Sequence, residues 1–229
     1  MLPPKATRRF WNSVIPKGIH QFFSPYYRWR SRMSQVDWSK KTNSSEFHRP
    51  EQYSPIDKKT LIVADAVDRY GGPDRVVLDL CCNVGRNLAE LANRGYRLLQ
   101  GVDVNPNAIR LSAFYFPVLA ETAQMVVSPV ERFLSTASTK GVDTIITRGT
   151  TLEFVSPDYP LVQQMCRISR QTCILLLQTA ADPYPRFWPY EFARCGFTLV
   201  EFRHELAGKA NLFCFASPEY RRELERFPF

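Results

Sequence analysis

Glycine is scarce in this chain: ten residues in 229, and only one where a nucleotide-binding turn carries several. The stretch concerned is "VVLDLCCNVGRNLAELANRG", Val76 to Gly95, in which Gly85 alone stands between the apolar run and an amphipathic segment. A dinucleotide unit of the GxGxxG kind is the disfavoured competitor, because "CCNVGR" does not match it. No CxxC pair occurs, and the three histidines (His20, His48, His204) lie far apart, so no zinc site is expected. Cys81, Cys82, Cys166, Cys173, Cys195 and Cys214 sit in apolar segments, where reduced, buried thiols of a cytosolic protein are found. No apolar run approaches the roughly 20 residues that span a bilayer. The opening "MLPPKATRRFWNSVIPKGIH" lacks the continuous apolar stretch of a secretory signal.

Acid is missing from the first 36 residues, which carry seven basic side chains: Lys5, Arg8, Arg9, Lys17, Arg28, Arg30 and Arg32. The net charge of +8 therefore sits on an N-terminal arm, and the rest of the chain is close to neutral. Only the arm offers an electrostatic reason to meet nucleic acid or an anionic membrane. It also holds seven aromatics: Phe10, Trp11, Phe22, Phe23, Tyr26, Tyr27 and Trp29. A polar stretch, Ser39–Pro55, separates this arm from the body, so residues 1–53 read as an extension and 54–229 as the domain.

In the body, strands and helices alternate. The pattern predicts a helix from about Ser54-Pro55 through Tyr70, with proline in its first turn. It then predicts strands at 75–80, 97–104, 123–128, 142–148 and 172–180. Helices fall between them at 84–95, 105–116 and 129–137, within 156–170, and in part of 185–196. Asn105 and Pro106 provide the N-cap and first position of the second of these. Two alternating strands, 197–206 and 211–217, close the sequence around "AGKA". The fold class expected is α/β: a doubly wound, mostly parallel seven-stranded sheet with an antiparallel C-terminal edge hairpin.

In such a sheet, ligands bind beyond the carboxyl ends of the strands. Gly85 lets backbone come close to a ligand, and Asn83 tolerates the left-handed conformation that a missing glycine would supply. Asp103 ends the second strand, 24 residues after Asp79. A carboxylate there accepts hydrogen bonds from a ribose diol, near the spacing of a nucleoside-binding βαβ unit.

"VVLDLCCNVGRNL" followed by "LLQGVDVNPNAI" resembles the first two motifs of the class I S-adenosylmethionine-dependent methyltransferases, and the likeness runs over about residues 60–217. That family has glycine where this chain has Cys81 and Asn83. The resemblance implies a Rossmann-like fold and S-adenosylmethionine as cofactor, with S-adenosylhomocysteine as product and no metal. It implies that Asp79 orients the turn and the cofactor's amino group, and that Cys81 to Gly85, with Asn87, wrap its methionine part. Asp103 would hold the ribose, Val104 would pack on adenine, and Val130 would flank it, with Ser128 or Glu131 near the adenine amino group. Arg148 and Gly149 would floor the methyl-transfer site.

Methyl transfer is an in-line displacement in which alignment supplies much of the acceleration. Candidate bases are Glu153, Asp158, Tyr159 and Tyr184; Arg148, Glu153 and Tyr159 are the acceptor-site candidates. Many family members carry histidine where this chain has Phe154, which cannot abstract a proton. His204 lies in a predicted edge strand and reads as structural or exposed. The Asn/Asp-Pro-Pro-aromatic motif of enzymes acting on base nitrogens is replaced by "TRGTTLEF", and no cysteine lies between Cys82 and Cys166, which disfavours a nucleobase acceptor. Arg148 suits an anionic acceptor, or a salt bridge to Glu153 or Asp158. The expected function is methylation, on oxygen or nitrogen, of a small molecule or anionic metabolite in the cytoplasm. In this fold, N-terminal extensions often cover the acceptor, so Phe22, Tyr26, Tyr27, Trp29 and Arg30 are lid candidates. Other readings of the arm stay open: a helix packed on the sheet, a membrane or nucleic-acid contact, or a mitochondrial presequence. The alternative function is a non-catalytic cofactor-binding module whose arm engages RNA or an anionic membrane.

Overall fold

The computed structural model describes residues 49–149, 152, 155, 158–178 and 186–226. The arm expectations at 1–48, together with Glu153, Phe154 and Tyr184, lie outside the described residues. A 3-10 turn at Pro50–Tyr53 leads into α1 (Lys58–Tyr70). Then follow β1 (Val77–Leu80), α2 (Arg86–Asn93), β2 (Leu99–Asp103), α3 (Pro106–Tyr115), α4 (Leu119–Thr122) and β3 (Ala123–Val127). The second half runs α5 (Val130–Thr136), β4 (Val142–Gly149), α6 (Leu161–Ile168), β5 (Ser169–Leu177), α7 (Trp188–Arg194), β6 (Thr198–Leu206), β7 (Ala210–Ala216) and α8 (Pro218–Arg226).

One seven-stranded sheet has the order β3-β2-β1-β4-β5-β7-β6. Only β7 runs against its neighbours: it pairs antiparallel with both β5 and β6, and the other pairs are parallel. Adjacent residues of each central strand serve opposite faces. Leu78, Leu80, Ile145 and Leu175 join α5, α6 and α7 in one core. Val77, Ile146, Ile174 and Leu176 join α1, α2 and α4 in the other. This explains the unbroken apolar strands, since both faces are covered. From β1 the chain moves outward through β2 to β3, then returns to β4 on the other side. That reversal places the switch point between β1 and β4, where loops diverge and a ligand fits.

Three details differ from expectation. The first long helix begins at Lys58, not at Pro55, because Asp57 caps it by accepting from the Thr60 amide at 2.9 Å. Strand β5 starts earlier than expected, at Ser169, and α6 is correspondingly confined to Leu161–Ile168. Two short helices, α4 and α8, lie outside the expected pattern, although Ser217 caps α8 by accepting from the Tyr220 amide at 3.2 Å and Pro218 opens it. Among the described residues, no helix is long and apolar enough to cross a membrane.

Candidate cofactor and acceptor site

The turn after β1 keeps its shape without the usual glycines. Cys81 (φ 62°), Asn83 (φ 52°) and Gly85 (φ 83°) all adopt the left-handed conformation. Asn83 tolerates this because its side chain serves the local backbone, accepting from the Val84 amide at 2.8 Å. Cys81 carries the penalty of a Cβ in this conformation. Gly85 is needed for a reason other than ligand approach. A Cβ there would stand 2.8 Å from Leu119 Cδ1 and 3.1 Å from Met125 Cε, so the crowding comes from α4 and β3. Cys82 is buried inside the turn, its amide donating to Val102 O at 3.0 Å, which ties the turn to β2.

Asp79 is fully buried at the end of β1. Its Oδ2 accepts from the Asn87 side-chain amide at 3.1 Å. Asp79 Oδ1 and Asn87 Oδ1 are both buried and have no hydrogen-bond partner. Burial pushes the Asp79 carboxyl up to about 7, against the opposing pull of Asn87 and Arg148. Two unsatisfied buried acceptors side by side need a donor, and a cationic one suits a carboxyl held so far from water.

Asp103 does more than wait for a ribose. Its Oδ2 accepts from the Asn83 amide at 2.9 Å and its Oδ1 from the Asn105 amide at 2.8 Å. It therefore clamps the β1 turn to the start of α3. A carboxylate offers about four acceptor positions, so capacity is left for a diol. Burial raises its carboxyl above the ordinary range, and these amides oppose the rise. Val104, next to it, is half-buried, whereas Val130 is closed into the core beside Leu134 rather than open to a ligand.

Arg148 is not where the sequence put it. Its Nη1 donates to Thr60 Oγ1 at 2.7 Å and its Nη2 pairs with Asp57, which ties the end of β4 to the start of α1; its expected partner Glu153 lies outside the described residues. Arg86, the first residue of α2, reaches the same carboxylate at 3.6 Å and lies over the Tyr53 ring, 5.3 Å from its centroid. Although partial burial pushes it up, the Asp57 carboxyl is held at about 2 by Arg148, the Thr60 amide and Arg86. Tyr159 also differs from expectation: its hydroxyl meets Ser135 Oγ and Glu131 O on α5, both at 3.1 Å. His204 is exposed on β6.

Sequence reasoning missed Tyr53, Asp57, Lys59 and Arg86. Asp57 could have been found from its Asp-x-x-Thr spacing before an apolar run. Lys59 is the informative one. Its side chain passes beside Gly208 in the β6–β7 turn, where Gln178, just past β5, donates to Gly208 O at 2.8 Å. Among the described residues it has no hydrogen bond or ion pair, and burial followed by Arg148 lowers its ammonium pKa. Arg86 and Arg148 converge on one carboxylate, Asp57, with Lys59 close by, beside the ends of β4 and β5. Among the described residues, no group of three His, Cys, Asp or Glu could hold a metal ion.

The sheet order with its single reversed strand, the acid-ended β1 and β2, and the switch-point turn define one known architecture. The fold is that of the class I S-adenosylmethionine-dependent methyltransferases. Solved structures share it at low identity. A TehB-like methyltransferase from Corynebacterium glutamicum is 19% identical, with a TM-score of 0.58 over 79% of this chain and 97% of that one. Magnesium protoporphyrin IX methyltransferase from Synechocystis, with bound S-adenosylhomocysteine, is 14% identical, with a TM-score of 0.60 over 80% and 99%. The 1,6-didemethyltoxoflavin-N1-methyltransferase from Burkholderia thailandensis, also with bound S-adenosylhomocysteine, is 16% identical, with a TM-score of 0.59 over 86% and 91%. No family model and no curated protein matches the sequence.

Proposed function

We propose that the chain transfers a methyl group from S-adenosylmethionine to a small anionic acceptor, on oxygen or nitrogen. The observation that carries the cofactor reading is the pair of unsatisfied buried acceptors, Asp79 Oδ1 and Asn87 Oδ1, at the switch point of this fold. They fit an α-ammonium, which supplies both the donors and the positive charge. Asp103 retains capacity for ribose hydroxyls while holding the turn. When bound, the cofactor supplies an activated methyl group on a sulfonium. The residues of this chain bind, orient and exclude water. The acids Asp79 and Asp103 fix two ends of the ligand, and alignment of the acceptor supplies much of the rate.

An anionic acceptor is favoured by Lys59, a half-buried ammonium with no hydrogen bond or ion pair among the described residues. An incoming carboxylate or phosphate would pair with that ammonium. The test is incubation of the full chain with S-adenosylmethionine and paired acceptors that differ only in a carboxylate or phosphate, with S-adenosylhomocysteine as readout. Turnover is expected with the anionic members. Lys59→Met should raise KM for them about tenfold and leave cofactor affinity within about twofold. Cofactor binding without turnover on any acceptor would leave a binding module. Equal turnover of charged and neutral acceptors would remove the anionic part of the reading.

A further inference from the structure

Away from the ligand site, on the face covered by α5, α6 and α7, three cysteines come together. Cys166 lies on α6, Cys173 on β5, and Cys195 at the C-cap of α7. Cys173 is fully enclosed, and Cys166 is nearly so. Cys195 is half-buried and packs against the core cluster that contains Cys166, whose thiol it helps to push up. The two line one surface cavity of about 420 Å³ with Lys140, Arg167, Arg194 and Glu219. Lys140 pairs with Glu219 at 3.7 Å, so Arg167 and Arg194 leave the rim net positive.

We propose that Cys166 and Cys195 form a reversible disulfide, made by exchange with an anionic low-molecular-weight disulfide of the glutathione type. The chemistry follows from unequal access. Cys195 faces the cavity, so its thiolate attacks one sulfur of the oxidant, forms a mixed disulfide and releases one glutathione thiolate. Cys166, behind it, then attacks the Cys195 sulfur, forming the S–S bond and releasing the second glutathione. The two thiol protons pass to the departing thiolates, so two cysteine thiols are oxidised and one glutathione disulfide is reduced to two glutathiones. The cationic rim suits an oxidant that carries carboxylates. Burial holds the Cys166 thiol well above its ordinary range, which makes it the resolving and slower partner. Cys173, pushed up to about 12 by burial, stays a spectator.

The bond would join the last turn of α7 to α6 and close a loop containing all of β5. Such a loop predicts a rise in melting temperature of about 5–10 °C, unless native strain absorbs it. The experiment incubates the full chain at graded ratios of oxidised to reduced glutathione, blocks remaining thiols, and maps peptides by mass spectrometry without prior denaturation. Expected are a Cys166–Cys195 linked peptide, a higher melting temperature, and reversal by dithiothreitol. Cys166→Ser should instead accumulate Cys195 as a mixed disulfide with glutathione. The proposal fails if Cys166 and Cys195 stay unlinked in glutathione disulfide alone. It also fails if the linkage uses Cys173 or Cys214, or forms only after denaturation.

Discussion

On the proposed reading, Asp79 ties cofactor binding to pH. Its carboxyl ionises at 3.8 in an unfolded chain and at about 7 when folded, so between these values the folded form holds more protons. Stability from this group therefore falls as pH rises from about 4 to about 7. A bound ammonium reverses the preference and favours the carboxylate. Cofactor affinity should then rise from pH 6 to pH 8, with close to one proton released on binding at pH 6. Calorimetry in buffers of differing ionisation enthalpy measures this directly. Asp79→Asn should abolish the proton release and weaken binding about 10- to 100-fold; unchanged affinity would move the ammonium elsewhere. The neighbouring turn yields a second, opposite pair of outcomes. A left-handed Cβ costs about 1–2 kcal/mol, so Cys81→Gly should stabilise by about 0.5–1 kcal/mol after the added freedom of the unfolded chain. Gly85→Ala meets Leu119 and Met125 as well as its own φ of 83°, and should lose about 2–4 kcal/mol. Thermal melts of both variants decide it; a neutral Gly85→Ala would mean α4 yields freely.

At the level of elements, α1 is held to the sheet by a charge cluster. Arg148 on β4 binds both its cap, Asp57, and Thr60 in its first turn. Replacing Arg148 with Met should lower stability by about 1 kcal/mol at pH 7, a small value because Asp57 is largely exposed and screened. The Asp57 carboxyl is depressed from 3.8 to about 2, so its contribution is present above about pH 4 and disappears as pH falls through 2. Melts of both proteins at pH 7 should differ by a few degrees and converge as pH falls to about 2; a constant gap would mean that the loss is packing alone. This cluster also marks what a sequence can convey. Strands were legible from unbroken apolar runs, and the two acids from their places at strand ends. Asn105 announced its helix because cap and proline are adjacent in the chain. The pairing of Arg148 with Asp57 joins residues 91 positions apart, and nothing local in either segment specifies it. Arg86 follows Gly85 directly, yet its contact with Tyr53 depends on how the chain enters the domain. Val130 was singled out by the family resemblance and Tyr159 by its place after the fourth strand; the side chain of the first packs in the core and the hydroxyl of the second meets α5.

For the molecule as a whole, the question is what the basic, aromatic N-terminal arm does. The described chain begins at Arg49, and Pro50–Tyr53 brings it to the ligand site, with Tyr53 under Arg86 and near Asp103. Seven aromatics in the first 36 residues are far more than a solvated linker carries, so these rings gain by meeting an apolar surface. The residues proposed to hold the cofactor, Asp79, Asn87 and Asp103, are positioned by hydrogen bonds made within the segment 79–105. We expect the arm to close the acceptor side. Deleting residues 1–36 should leave cofactor affinity within about twofold, since Tyr53 and Arg86 are kept, and should reduce methyl transfer at least a hundredfold through loss of acceptor alignment. A melting curve must accompany the assay, because uncovering apolar surface lowers stability by itself. Loss of cofactor binding in a folded truncation would make the arm part of the cofactor site. A folded truncation that turns over at the full rate would assign the arm to docking or targeting, and its arginines would then be tested against anionic vesicles at increasing salt.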